Sequence, residues 1–169
     1  SRKPELDGIE GLSYREDGQV RVNQPRPLER ILDRIASPYH GKGARKEDAE
    51  ELRHRTVYFE SSRGCPNQCQ YCMSSTQPGV RYFSMPRVKD DLNALVEMGA
   101  TQIKFVDRTF NCHPDRAHQI WEYLISKHRQ HDNWRKVRFH FEIGADRLNE
   151  DSIDILKQAP PGLFEFEIG

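Results

Sequence analysis

The chain has 169 residues, and its 26 acidic and 26 basic side chains cancel, so no net field marks it for nucleic acid or an anionic membrane surface. Its 36% hydrophobic content is low and its 31% charged content high for a globular domain, which implies that part of the chain is solvated. No apolar run reaches the roughly 18 residues of a membrane span, and the opening Ser1-Arg2-Lys3-Pro4-Glu5 lacks a signal peptide's apolar region, so a cytoplasmic setting with reduced thiols is expected.

Residues 1–55 read as a linker or irregular N-terminal extension, broken repeatedly by glycine and proline. A strand pair is expected at 11–14 and 19–22, turning at Glu16-Asp17-Gly18. One or two amphipathic turns over 27–35 would place Leu28, Ile31, Leu32 and Ile35 on one side, and a short helix is expected at 47–53.

Residues 56–169 read as the main domain. Strand-like runs occur at 56–61, 102–106, 137–143 and 163–168, with helical patterns between them. Ser84 is placed to cap a helix with Val88, Leu92, Leu95 and Val96 on one face, stopped by Gly99. Pro114 suits the start of a second, with Ala117, Ile120, Trp121, Leu124 and Ile125 inward. Asn149 is placed to cap a third, with Ile153, Ile155 and Leu156, ending before Pro160-Pro161. This alternation predicts an α/β fold with a parallel sheet and its chemistry at the carboxyl ends of the strands. Four strands and three helices do not close a barrel, and an uncovered edge strand is a liability, so a partial barrel cut from something longer is expected.

Cys65, Cys69 and Cys72 fall within eight residues, just after the first strand. Such clustering favours metal binding over disulfides. Three thiolates from one loop can hold a cubane cluster and leave its fourth iron open, whereas an electron carrier fills all four sites with cysteine. Gly64 and Pro66 suit the sharp turning this requires. The rival is a structural zinc module, with Cys112 or His113 as fourth ligand, although a second paired knuckle is missing. Alternation along the last two strands sets His140 and Glu142 opposite Phe139, Phe141 and Ile143, and Glu165 and Glu167 opposite Phe164, Phe166 and Ile168. The acids then face a barrel interior, or pair with Lys104 and Arg138 in an open sheet.

The spacing Cys-x3-Cys-x2-Cys, with Tyr71 just before the last cysteine, resembles the motif of the radical S-adenosylmethionine (SAM) superfamily. The resemblance covers about residues 56–169 and implies some four βα units of a six-unit partial barrel. It implies a [4Fe–4S] cluster on Cys65, Cys69 and Cys72, reductive cleavage of SAM to a 5′-deoxyadenosyl radical, an oxygen-sensitive protein and a reducing partner such as flavodoxin or ferredoxin. It places Tyr71 against the adenine. At the loop that binds the methionine ammonium, this chain departs from the Gly-Gly-Glu pattern and offers Asp107 or Thr109, while Arg108 is expected to pair with Asp107 or Asp115 on the surface. Glu142 and Glu167 are implied as partners of the ammonium or the ribose hydroxyls, and Arg147 as partner of the carboxylate. His113 and His118 are expected on the helix surface. Within the superfamily, residues 55–72, the IKFVDRTFN segment and GLSYREDGQV resemble enzymes with a cobalamin-binding domain ahead of the core. These relatives include methyltransferases, methylthiotransferase-like enzymes and the anaerobic cyclase of Mg-protoporphyrin monomethyl ester. Cobalamin would be bound outside this chain, which contains no DxHxxG-type loop.

Overall fold

The computed structural model describes residues 5–40, 52, 54–76 and 79–169. Two compact units are seen, Ser1–Arg30 and Ile31–Gly169. The first unit carries an antiparallel hairpin of β1 (Ser13–Glu16) and β2 (Gln19–Val22). Its two turn residues, Asp17 and Gly18, both have positive φ, 48° and 79°, which matches the right-handed twist of a tight hairpin. The first strand thus starts two residues later than expected.

The second unit is built on a four-stranded parallel sheet in the order β3 (Thr56–Phe59), β6 (Gln102–Phe105), β7 (Arg138–Ile143), β8 (Phe164–Ile168). Parallel neighbours need long crossovers. These contain α1 (Met85–Glu97), α2 (Pro114–Gln130) and α3 (Glu150–Leu156). The α/β fold and the partial-barrel strand set are those expected.

Side-chain alternation decides which sheet face is covered. Val57, Phe59, Ile103, Phe105, Phe139, Phe141 and Ile143 are buried with the apolar stripes of α1 and α2 in one core. Phe105 and Phe141 stack at 4.7 Å, and Phe110 lies 4.4 Å from Phe141, ring contacts worth about 0.5–1.5 kcal/mol each beyond burial. The opposite face carries Lys104, His140, Glu142 and Glu167, all at least partly exposed.

The helix ends obey their local chemistry. Ser84 Oγ accepts from Arg87 N, and Asn149 Oδ1 accepts from Ser152 N, as the sequence suggests. Gly99, at φ 95°, lets its own N–H reach Val96 O and Ala100 N reach Leu95 O, which closes α1. In α3, Ile153 is 40% exposed, so that helix covers less core than its pattern promised.

Two expectations for the early segment change. Only Leu32–Arg34 forms a turn, and three residues are too few to keep four apolar side chains on one side. Leu32 therefore enters the core while Leu28 and Ile31 stay about half exposed. All but Leu52 of the helix expected at 47–53 lies outside the described residues.

Candidate functional site

The cysteine motif does not hang directly from β3. A second antiparallel hairpin intervenes, β4 (Ser62–Cys65) paired with β5 (Gly79–Tyr82). Cys65 closes β4 opposite Gly79, and the loop between them carries Cys69 and Cys72. Gly64 makes the pairing possible. Its φ is 104°, and a Cβ there would stand 2.1 Å from Gly79 O. Cys69 is exposed, Cys65 and Cys72 are partly exposed, and none is in a disulfide. Cys72 N donates to Cys69 O at 3.1 Å, and Asn67 N donates to Cys65 Sγ at 3.4 Å.

The base of this hairpin is fastened to the end of β6 by a buried carboxylate. Asp107 is 1% exposed. Its Oδ2 accepts from Ser61 N at 3.1 Å, and its Oδ1 accepts from Ser61 Oγ at 2.8 Å and from Ser62 Oγ. Ser61 O in turn accepts from Phe83 N at 3.1 Å and from the Arg116 guanidinium at 3.2 Å. Burial pushes the Asp107 carboxyl above the usual carboxylate range, opposed by the serine donors and by Arg116. Burial likewise lowers Arg116. The guanidinium lies 5.0 Å from the Tyr82 ring centre, and the Tyr82 hydroxyl meets Cys112 Sγ at 3.3 Å. Desolvation first, then the Cys112 contact, raises the Tyr82 phenol.

The structure sets Asp107 apart from the place expected of an acceptor for the methionine ammonium. Both its oxygens accept from Ser61 or Ser62, and it does not line the cavity described below. Tyr71 is 93% exposed at the loop surface, also away from that cavity.

The other expected residues meet. A cavity of about 230 Å³ at the carboxyl ends of the strands is lined by Thr109, Glu142, Arg147 and Glu167, together with Asn67 of the cysteine loop and Gly144. Arg147 donates to Asn67 Oδ1 at 3.2 Å, so the loop after β7 touches the cysteine loop. Thr109 Oγ1 donates to Arg108 O at 2.8 Å. Lys104 Nζ lies 2.9 Å from Glu167 and 3.4 Å from Glu142, so the acids both face the cavity and share an ammonium. The hydrogen bond with Lys104 holds Glu167 below the usual carboxylate range and raises Lys104. Arg108 is exposed on the cavity rim, and Arg116 takes the place beside Asp107. His113 is exposed, as expected. His118 is not a plain surface residue, because its Nε2 meets Ser152 Oγ at 2.7 Å.

The donor set fits an iron–sulfur cluster. Three thiols of one loop, none in a disulfide, supply three corners, and the cavity adjoins that loop through Asn67. Among the described residues, no three His, Cys, Asp or Glu side chains gather as a single metal ion requires. A cubane seats its thiolates on different irons and does not need such crowding. Of the residues that could supply zinc's fourth ligand, Cys112 is engaged with the Tyr82 hydroxyl and the His113 ring packs edge-on against Tyr82.

Comparison with known proteins agrees with this chemistry. Residues 59–169 match the model of the radical SAM superfamily. An uncharacterized methyltransferase of Pyrococcus horikoshii, PH0819, is 41% identical over 124 residues, covering 71% of this chain and 27% of that protein. The cobalamin-dependent radical SAM methyltransferase TokK of Streptomyces tokunonensis is 27% identical over 164 residues, covering 93% of this chain and 23% of TokK. The chain thus spans about a quarter of the curated relatives it matches. The fold is similar to the radical SAM methyltransferase TsrM of Kitasatospora setae, solved with its tryptophan substrate and a SAM analogue, with a TM-score of 0.68 and 15% identity over 98% of this chain and 33% of TsrM. A second TsrM structure, with cobalamin and a [4Fe–4S] cluster, matches at 0.58 with 18% identity over 68% of this chain and 22% of that one.

Proposed function

The chain belongs to the radical SAM superfamily, and from that premise we propose that it is the cluster-bearing part of a methyltransferase whose cobalamin is held outside this chain. Such an enzyme uses a [4Fe–4S] cluster and SAM. Cys65, Cys69 and Cys72 would hold the cluster. When bound, the cluster supplies the electron for reductive chemistry on SAM, delivered to it by a flavodoxin- or ferredoxin-like partner.

The observation that supports the reading most is the cavity. Thr109, Glu142, Arg147 and Glu167 come from the ends of three successive strands and face one space beside the cysteine loop. Arg147 is placed to bind a carboxylate, and a guanidinium does so with two parallel donors. Glu142 and Glu167 are placed to accept from an ammonium or from ribose hydroxyls, with Lys104 limiting their mutual repulsion. Tyr71 would reach the adenine from its exposed position on the loop. That both PH0819 and TokK are named as methyltransferases supports methyl transfer as the outcome.

Anaerobic reconstitution with iron and sulfide tests this. About four irons per chain are expected, with visible absorption that bleaches under dithionite. Cys69→Ala should abolish SAM cleavage. Stoichiometric zinc without iron uptake, or cleavage that survives Cys69→Ala, would overturn the assignment.

A further inference from the structure

Asn111 lies in a short turn after β6 and is 1% exposed. Its side chain grips the backbone of Gly144, 33 residues further on, by both polar groups. Oδ1 accepts from Gly144 N at 2.9 Å, and Nδ2 donates to Gly144 O at 2.8 Å. The ladder between β6 and β7 ends at Lys104 and His140, so no β6 peptide serves Gly144. The primary amide takes the place of that missing strand neighbour.

Gly144 is the pivot of the turn that follows. Its O also accepts from Arg147 N at 3.2 Å, closing the turn Ala145–Arg147. A Cβ on Gly144 would meet Asp146 Oδ1 at 2.8 Å and Arg147 Cδ at 3.4 Å. The Arg147 side chain is therefore folded back over Gly144. From there its guanidinium reaches Asn67 of the cysteine loop at 3.2 Å and lines the cavity. A continuous path runs from Asn111 through Gly144 and Arg147 to the loop that carries the cysteines.

We propose that Asn111 is a positioning residue: by clamping Gly144 it aims Arg147 across the cavity, and so sets the affinity for the carboxylate end of SAM. This rests on the function proposed above. Asn111 touches no ligand in this scheme and acts only through Arg147.

The test is a double-mutant cycle on the cluster-loaded protein, read as the dissociation constant of SAM. Asn111→Ala and Arg147→Met should each weaken SAM binding about tenfold or more, and the double variant should bind no more weakly than Arg147→Met alone. Iron content should match the unsubstituted protein in all three. In the cluster-free protein, hydrogen exchange at the Gly144 amide should speed up in Asn111→Ala. Asn111→Asp keeps the acceptor for that amide but sets a carboxylate against Gly144 O, so SAM should bind more weakly while the amide stays protected. Unchanged SAM affinity in Asn111→Ala, independent effects in the double variant, or SAM binding lost only in step with iron would each overturn the inference while leaving the proposed function intact. Failure of the unsubstituted protein to take up iron is a different result, and it overturns both.

Discussion

Replacing Asp107 with alanine should release the cysteine hairpin from the sheet. The variant leaves Ser61 N–H and the Ser61 and Ser62 hydroxyls, all buried, without their shared acceptor. It also removes the carboxylate whose charge acts most strongly on the half-buried Arg116. Three buried donors left without an acceptor, at about 1–3 kcal/mol each, make a loss of about 3–5 kcal/mol the expected outcome. For a unit of this size that corresponds to a fall of about 6–20 °C in melting temperature. Urea titration of the cluster-free protein, followed by near-ultraviolet circular dichroism, measures it. Asp107→Asn retains one acceptor oxygen but turns an amide donor toward Ser61 N–H, so it should fall between the two. Asp154→Ala is the control, since the Asp154 carboxylate pairs with exposed Lys157, and it should stay within about 0.5 kcal/mol of the unsubstituted protein. A loss below about 1 kcal/mol for Asp107→Ala would refute the view that this carboxylate fastens the hairpin.

Gly64→Ala forces a methyl group to within 2.1 Å of Gly79 O, so β4 and β5 should separate; the variant should keep its helical circular dichroism yet fail to retain iron after reconstitution. The Lys104–Glu167 pair has a definite pH sign. Glu167 is held below its ordinary range, so the contribution of the pair is present above the usual carboxylate pKa and is lost as the pH falls through the lowered value. Carboxyl carbon shifts in an NMR titration should show the Glu167 midpoint rising in Lys104→Met, and an unmoved midpoint would show that Lys104 is not its partner.

Much of the scaffold was legible because periodicity survives folding. The four parallel strands fall within one or two residues of their apolar runs, and Ser84 and Asn149 cap the helices they announce. The β4–β5 hairpin was not legible. SRGC and GVRY show no alternation, and their pairing depends on one glycine's close approach to a residue 15 positions away. The buried bonding of Asp107 was not legible for a related reason, since an acid after a strand looks like a ligand when its partners lie 46 residues earlier. A usable signal did exist. Once 56–59 and 102–105 are recognised as adjacent parallel strands, register places Ser61 beside Asp107. For Asn111 nothing comparable was available, because its partner is a backbone group.

Asp107 and Asn111 share one five-residue segment, and that sharing makes a further prediction. Asp107 points to the hairpin, Thr109 to the cavity and Asn111 to Gly144. Phe110 points the opposite way, into the core, where its ring lies 5.2 Å from Phe105, 4.4 Å from Phe141 and 5.6 Å from Trp121. It is 6% exposed, so it is the apolar anchor that keeps both polar clamps in place. Phe110→Ala and Phe141→Ala each remove a buried ring and should each cost about 3–5 kcal/mol. The two should differ in where the protein loosens. Phe110→Ala removes the side chain between the clamps, so hydrogen exchange should rise at the amides of both Ser61 and Gly144. Phe141→Ala opens its cavity in the middle of the sheet, and Ser61 should stay protected. Equal exchange patterns in the two variants would mean that the segment is held by the sheet as a whole and not by its own aromatic residue.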